Sequence, residues 1–529
     1  MRYLSSLLFS FICCNCLFLA NVFSQPTITL SKTVGSSGTE SIHDLIADQD
    51  GHIIALGQCD SVDRDTSCHY HGGSTDIWLV KMDAAGNILW QKCYGGSEED
   101  NAYQIIQTTD GGFLFTGVTF SSDGDVAVNQ GYFYQVWIVK TDSNGNIQWQ
   151  QGLIAAKTYD LMQLHNGKYL IACYTINSSS SFPVHYGGGF VNDAWLTWIN
   201  NDGTIDTSRI YGGTADDYIT QIIELPDHDL QLFGYTESID YDLVGTSANG
   251  FRDGWIFRTD SNGSIKWTKR WGGNLPDAID GAVLLPNKNF LTAGSSDSNQ
   301  GDFLSNHGSS DVWIMLLDSV ANRISNYLYG GSNTDAMDFR RRIHSANNGI
   351  FTVGALSYSS DGDVGFNHGY SDFWFFAIDS NGVLVNSKVV GGSWVDDLYC
   401  NSLHEGNTAL LGGLTASDDF DVHDYHGNGD GWIVEIGNFT MVGEVVSESV
   451  ISIYPNPLHS QFMLSSTDEN VLNNATLEIY SSNGILMATK KIRRKQETIL
   501  IGNLPPGNYN CLILDGNNKR ITSAKLIIQ

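Results

Sequence analysis

A tryptophan-centred segment returns seven times along this chain, and an internal repeat of that length constrains the fold more than any other feature. The copies read DIWLVKMD, QVWIVKTD, DAWLTWIN, DGWIFRTD, DVWIMLLD, DFWFFAID and DGWIVEIG. Their first tryptophans, Trp78, Trp137, Trp195, Trp255, Trp313, Trp374 and Trp432, are 58 to 61 residues apart. Each segment is apolar on both faces, as a strand must be when its sheet is sandwiched between two others. Three further strand signals surround it. AYQIIQT passes through a DGG turn to FLFTGVT, a long polar loop precedes VWIVKTD, and an SNG turn leads to NIQWQ, with YGG closing most units. Four strands per unit at this period predict propeller blades.

The ends of the array point to a ring. The seventh unit, residues 398–439, lacks a fourth strand, whereas the segment TITLSKTVGSSG near the N-terminus matches the fourth-strand pattern and has no unit of its own. The count balances if residues 27–34 complete the last blade, and closure leaves no unpaired edge. The long loops and YGG crossovers then share one face, where a binding site is expected. The fold expected is all-β, a seven-bladed β-propeller over residues 25–440 followed by a linker, 441–450, and a small Ig-like β-sandwich, 451–529.

Composition narrows the function. Among 529 residues, 16% are charged and 56 are glycine, which excludes an acidic disordered chain. The 58 acids against 28 bases, net −30, exclude nucleic acid or an anionic membrane as main partner and favour cations or neutral ligands. Residues 1–24 read as an export signal peptide: Arg2, an apolar run over residues 7–20, then Val22 and Ser24 before Gln25. No later stretch approaches the ~18 apolar residues that would span a bilayer, so no transmembrane segment is expected in the mature chain.

Past the linker the period stops and the charge reverses. Residues 451–529 hold 8 bases and 5 acids, net +3, leaving −33 for the rest. The tail carries Tyr454, Pro455, Asn456 and Pro457 (YPNP), a central IYSSNG, Leu504 through Gly507 to Tyr509, and the terminal KLIIQ. In these motifs it resembles the type A sorting domain of the Bacteroidota type IX secretion system. The resemblance implies export to the cell surface or exterior and the secretion machinery as a partner. The repeats resemble uncharacterised propeller repeats of such secreted proteins, which implies a fold and no activity.

Four sets of residues carry candidate chemistry. The long loops repeat a DxD pair: Asp123 and Asp125, Asp240 and Asp242, Asp361 and Asp363, Asp419 and Asp421. Such pairs offer hard oxygen ligands to Ca²⁺, or they cap loop backbone, and their repetition favours capping. His307, His368 and His426, each six residues before a tryptophan, repeat in the same way and suit a structural hydrogen bond. Arg340, Arg341 and Arg342 occur once, on the expected first strand of blade six. Alternation would turn Arg340 and Arg342 one way and Arg341 the other, to bind an acidic ligand or to neutralise neighbouring aspartates. Cys59 and Cys68 share one loop and suit a disulfide in an oxidising compartment, leaving Cys93, Cys173, Cys400 and Cys511 as small core residues. GxSxG, HExxH, P-loop and kinase patterns are absent. The expected function is binding of a glycan or protein ligand outside the cell, with a glycan-active hydrolase or lyase on the same scaffold as the second reading.

Overall fold

The structure, a computed structural model, describes residues 26–439 apart from 69, 73, 129–133, 155–156, 175–185, 187–190, 303–305, 338–341, 347–348 and 405–407. In the tail it describes residues 451–454, 461–466, 475–481, 486–492, 494, 496–500, 504–514 and 520–528. The expected signal peptide and linker lie outside the described residues. The chain forms two compact units, Gln25–Thr440 and one within Met441–Gln529. Among the described residues the regular elements are β-strands with one short 3₁₀ turn, Tyr241–Leu243.

The first unit holds seven antiparallel sheets, each built from strands in chain order. Sheet one comprises Ser41–Ala47, Ile53–Cys59, Asp76–Met82 and Ile88–Tyr94; sheet two, Asp100–Gln107, Phe113–Thr119, Gln135–Thr141 and Ile147–Leu153. Sheet three runs Lys157–Gln163, Tyr169–Tyr174, Ala194–Ile199 and Ile205–Tyr211; sheet four, Asp217–Glu224, Leu230–Thr236, Asp253–Thr259 and Ile265–Trp271. Sheet five is Asp277–Leu284, Phe290–Ser296, Asp311–Leu317 and Arg323–Tyr329. Sheet six departs from the pattern. Its first strand is broken into Asp335–Ala336 and Ile343–Ser345, both pairing with Ile350–Ser357, before Asp372–Asp379 and Leu384–Val390. Sheet seven is Asp396–His404, Thr408–Thr415 and Asp430–Gly437, and its fourth strand is Thr27–Val34, paired antiparallel to Asp430–Gly437. The architecture is that of a propeller-like fold.

Burial explains why the third strands recur so faithfully. Trp78, Trp137, Trp255, Trp374 and Trp432 are fully buried, and four indole N–H groups find their acceptor on the adjoining fourth strand. Trp78 donates to Gln91 Oε1 (2.9 Å), Trp137 to Gln150 Oε1 (3.0 Å), Trp255 to Thr268 Oγ1 (2.8 Å) and Trp432 to Ser31 Oγ (3.1 Å). The last bond crosses 401 residues of sequence yet repeats the geometry of the local ones. Sheets one and seven also share an apolar core of Val34, Ile42, Leu45, Cys400, Leu410 and Ile433 with their neighbours.

Neighbouring sheets are tied together by two further devices. The tyrosine of YGG reaches the next sheet's hairpin: Tyr94 Oη donates to Gly145 O (2.5 Å), Tyr211 Oη to Gly263 O (2.7 Å) and Tyr329 Oη to Gly382 O (2.9 Å). Those three glycines take left-handed backbone, φ 76–85°, which the tight SNG turn requires. On the first strands, Asp44 Oδ2 accepts from Ile105 N (2.9 Å), Asp160 Oδ2 from Ile222 N (2.6 Å) and Gln221 Oε1 from Ala282 N (2.7 Å).

Two expectations are corrected. The disulfide joins Cys68 to Cys93, while Cys59 is a buried free thiol with its Sγ 3.4 Å from that of Cys93. Cys59 closes the second strand pointing into the core, whereas the loop holding Cys68 folds back over the fourth strand, a proximity that chain spacing conceals. Arg342, expected on the first strand of sheet six, lies outside its described segments, Asp335–Ala336 and Ile343–Ser345, while Arg340 and Arg341 lie outside the described residues.

In the tail, Ile451–Tyr454, Gln461–Ser466 and Gln496–Leu500 form one sheet, and Leu486–Lys491, Thr476–Ser481, Gly507–Leu514 and Arg520–Ile528 a second. Phe462, Leu464 and Ile499 of the first share a core with Leu477, Ile479, Cys511, Ile513 and Leu526 of the second.

Deleting residues 27–34 would expose Asp430–Gly437 as a long apolar edge strand and orphan the Trp432 indole. The truncated chain is expected to aggregate or melt well below the intact one. Size-exclusion chromatography and thermal denaturation check this, and a monomer with an unchanged Tm would contradict it.

Candidate functional site

The long-loop face is organised by buried acids. At the start of the first strand, Asp100 accepts from Gly96 N (2.8 Å) and Ser121 Oγ (2.8 Å). Asp217, Asp277, Asp335 and Asp396 repeat this with Gly213, Gly273, Gly331 and Gly392 and with Ser238, Ser298, Ser359 and Ser417. Glu40 does the same in sheet one, accepting from Ser36 N (2.7 Å). A second ring of acids opens the third strands. Asp311, Asp372 and Asp430 accept both the backbone N–H and the Nδ1 of His307, His368 and His426, so these histidines are structural partners as expected. His71 and Asp76 add a fourth example.

The two rings meet at the crossovers. A Cβ on Gly95 would lie 2.5 Å from Asp76 Oδ1 and 2.7 Å from Asp100 Oδ2, so the first glycine of YGG is what lets two carboxyl groups approach. Burial followed by mutual repulsion keeps these acids protonated to unusually high pH. Asp100 is raised to about 6, Asp217, Asp277 and Glu40 to about 7, and Asp372 to about 6. Asp76, Asp253, Asp311, Asp396 and Asp430 move the same way.

The DxD pairs close the loops onto these crossovers. The first acid accepts from the residue after the glycine pair: Asp123 from Ser97 N (2.7 Å), Asp240 from Thr214 N (2.8 Å), Asp361 from Ser332 N (2.7 Å) and Asp419 from Ser393 N (2.8 Å). The second accepts from the first glycine: Asp242 from Gly212 N (3.1 Å), Asp363 from Gly330 N (3.3 Å) and Asp421 from Gly391 N (3.4 Å). Asp125 instead lies 3.3 Å from His71 Nε2. The described bonds are those of backbone caps. Asp302, which sequence reasoning passed over, caps Gly272 N (3.1 Å) in the same way.

Of the arginine cluster, Arg340 and Arg341 lie outside the described residues. Arg342 reaches from sheet six to sheet three, where its guanidinium is 2.7 Å from Asp160 Oδ1. Burial would disfavour its charge, and Asp160 and Asp44 more than restore it. Arg342 therefore serves as an internal counterion to the first-strand aspartates. Of the sorting motif, Tyr454 ends a strand and Pro455, Asn456 and Pro457 lie outside the described residues.

Two larger grooves, about 450 and 360 Å³, occupy equivalent outer positions, one beside Tyr94, Asp125 and Gly145, the other beside Tyr211, Asp242 and Gly263. Their equivalence marks them as products of the repeat. A cleft of about 250 Å³ does not repeat: Tyr159 of sheet three, Tyr235 and Arg252 of sheet four, Asp277, Asp280 and Ser295 of sheet five and Met337 of sheet six line it. Tyrosine rings continue its wall, with Tyr159–Tyr174 centroids 5.5 Å apart, Tyr159–Tyr218 5.6 Å and Tyr218–Tyr235 4.7 Å. Arg252 lies over Tyr235 at 4.7 Å and bonds Glu237 Oε1 (2.8 Å), while Lys157 lies 5.8 Å from the Tyr159 centroid. Tyr218 Oη accepts from Asn192 Nδ2 (2.8 Å). Burial pushes the Tyr235 hydroxyl up to about 12, so it stays a neutral donor. Sequence reasoning missed this cluster. The available signal was that sheets three and four place Tyr174 and Tyr235 where sheets two and five have Val118 and Ser295, and that sheet four places Tyr218 where they have Asn101 and Ala278.

Residues 452–529 match the secretion system C-terminal sorting domain family. That tail marks the protein for export by type IX secretion to the cell surface or extracellular space. No curated protein matches the chain. Among solved structures, a Dyadobacter fermentans protein of unknown function is 14% identical with a TM-score of 0.38, covering 78% of this chain and 99% of its own. PorZ, a surface component of the type IX secretion system of Porphyromonas gingivalis, is 11% identical with a TM-score of 0.39, covering 92% of this chain and 59% of its own. A puromycin hydrolase is 11% identical with a TM-score of 0.43, covering 84% of this chain and 62% of its own. The chain thus spans about three-fifths of the length of the latter two.

The raised carboxyl pKa values fix a sign for stability against pH. Folded Asp217, Asp277 and Glu40 hold protons that the unfolded chain releases above about 4, so stability falls as pH rises from there through about 7. Buried His344, depressed to about 4, opposes this as pH falls from about 6.5 to about 4, and Asp110 and Glu435, near 2, oppose it below about 4. The Tm is expected to be higher at pH 6 than at pH 8, with Asp217→Asn flattening the difference. Scanning calorimetry across that range checks the sign, and a Tm that rises with pH would refute it.

Proposed function

We propose that the protein is an exported seven-bladed β-propeller, carried by a C-terminal Ig-like sorting sandwich, that binds a polyhydroxylated ligand such as a glycan segment in the tyrosine-lined cleft. The observation that carries this reading is the cluster Tyr159, Tyr174, Tyr218 and Tyr235 with Arg252, which occurs at one place in a seven-fold repetitive scaffold. A sugar ring presents an apolar face and a polar edge, and a tyrosine wall with Arg252, Asp280 and Ser295 beside it offers both. Tyr174 and Tyr235 keep part of their rings exposed, so they are the stacking surfaces, while buried Tyr159 and Tyr218 hold them in place. The glycan-active enzyme remains the second reading, favoured by Asp277 and Asp280 in the same cleft. Asp277 is raised to about 7 by burial, the state a general acid requires.

Two outcomes follow. Tyr235→Ala or Tyr174→Ala should weaken glycan binding about ten-fold, the scale of one lost aromatic contact of ~1 kcal/mol or more, with little change in Tm. Glycan arrays followed by calorimetric titration check this, and parallel assay of released reducing ends separates binder from enzyme. Full affinity in both variants would retire the cleft. Removing residues 451–529 should leave a folded propeller inside the cell envelope, because the tail has its own core. Surface protease accessibility in the native host checks this, and normal surface display of the truncated chain would overturn the tail's role.

A further inference from the structure

On the turn face, opposite the cleft, two imidazoles and a carboxylate converge from adjacent sheets. His165 lies in the first turn of sheet three; Glu224 ends the first strand of sheet four and His228 lies in the turn that follows. The Nδ1 atoms of both histidines face Glu224 Oε1, that of His228 at 3.4 Å and that of His165 in closer contact. The rings stack with centroids 3.4 Å apart and planes 15° from parallel, and the three ligand atoms lie within 4.8 Å of one another. We propose that His165, Glu224 and His228 form a binding site for a borderline divalent transition metal, with Zn²⁺ as the representative ion, that bridges sheets three and four.

The repeat itself separates the structural part of this arrangement from the part that needs another explanation. At equivalent places a neutral side chain from the next sheet caps the turn: Gln107 Oε1 accepts from Gln49 N (3.0 Å) and Gln163 Oε1 from Thr109 N (2.8 Å). Glu224 performs the same task with Oε2, which accepts from His165 N (2.8 Å). Glutamate in place of glutamine strengthens that cap and also places a second, anionic oxygen between two imidazoles. His228 occupies the left-handed position of its turn, φ 65°, as Lys288 does in sheet five at φ 68°, where the turns at Gly51, Gly111 and Gly167 use glycine.

The donor set fits Zn²⁺, which takes imidazole nitrogen and carboxylate oxygen at about 2.0–2.2 Å in tetrahedral geometry. Such bond lengths separate neighbouring ligand atoms by about 3.4 Å, the distance already found between His228 Nδ1 and Glu224 Oε1. Both histidine side chains are half exposed, so the remaining coordination position faces solvent. A net charge of −30 raises the local concentration of any cation. The other candidate clusters are already engaged: Asp48, beside His52, holds Lys81 Nζ at 2.6 Å, and Cys68 and Cys93 are joined.

The test titrates Zn²⁺ into the purified, chelator-treated full chain by calorimetry, with thermal denaturation alongside. One Zn²⁺ per chain is expected to bind, with a rise in Tm, and to bind at least ten-fold more weakly in Glu224→Gln and in His228→Gly. Both variants should fold without metal, since the first restores the repeat's own glutamine cap and the second its own turn glycine. His52→Ala should bind as the parent does. Unchanged Zn²⁺ affinity in Glu224→Gln and His228→Gly, or no binding by the parent chain at any concentration up to 1 mM (about 10³ times a micromolar Kd), would overturn the site.

Discussion

The carboxyl group that opens the first strand in most of the sheets is the contact on which the rest of the unit depends, and sheet three, which opens on Lys157, is the one without it among the described strands. Asp100, Asp217, Asp277, Asp335 and Asp396 each gather a crossover glycine N–H and a serine hydroxyl from the adjoining long loop. A buried carboxylate with fewer donors would cost several kcal/mol, so crossover and loop are bound to it as firmly as it is bound to them. The same group forces glycine on the YGG position, where any Cβ would strike the facing pair of acids. In each sheet that carries it, one side chain thereby sets the path of the crossover, the root of the loop and the spacing between sheets.

That economy also explains which parts of the molecule were legible in the sequence. Strand order, the paired role of Thr27–Val34 and the structural role of His307, His368 and His426 follow from recurrence, since a residue that returns at a fixed offset does the same work each time. The capping geometry of the DxD pairs was open in the sequence, because a carboxylate suits a backbone N–H and a cation equally well. The fate of Arg342 was illegible for a different reason: its partner, Asp160, lies on sheet three, and no local pattern relates positions across a ring. The Cys68–Cys93 pairing was hidden likewise, since a polar loop gives no signal of the strand onto which it folds.

The candidate site was harder still to foresee, because it consists of departures from the repeat and not of the repeat. Tyr159 occupies a bulge in the first strand of sheet three, a place that holds tyrosine also in sheets two and seven, Tyr103 and Tyr399, but Thr220 in sheet four and Asp280 in sheet five. A bulge residue escapes strict alternation, so neither period-two reasoning nor apolar patterning predicts where its side chain goes. Tyr174 and Tyr235 lie at matching second-strand positions of sheets three and four, where sheet two has Val118 and sheet five Ser295.

Departures of this kind cluster, and their clustering is itself informative. Sheets three and four hold the tyrosine wall on the long-loop face and His165, Glu224 and His228 on the turn face. Packing constrains the third strands most severely, since both faces are buried, and the fourth strands least. Strand ends and bulges of the inner strands are places where a substitution can alter surface chemistry without disturbing the acid network. Sheets three and four use both, at opposite ends of the same inner strands. The pairing of Thr27–Val34 with Asp430–Gly437 joins the two ends of the array, so a repetitive chain could present the proposed cleft and the proposed metal site without breaking the scaffold that repeats beneath them.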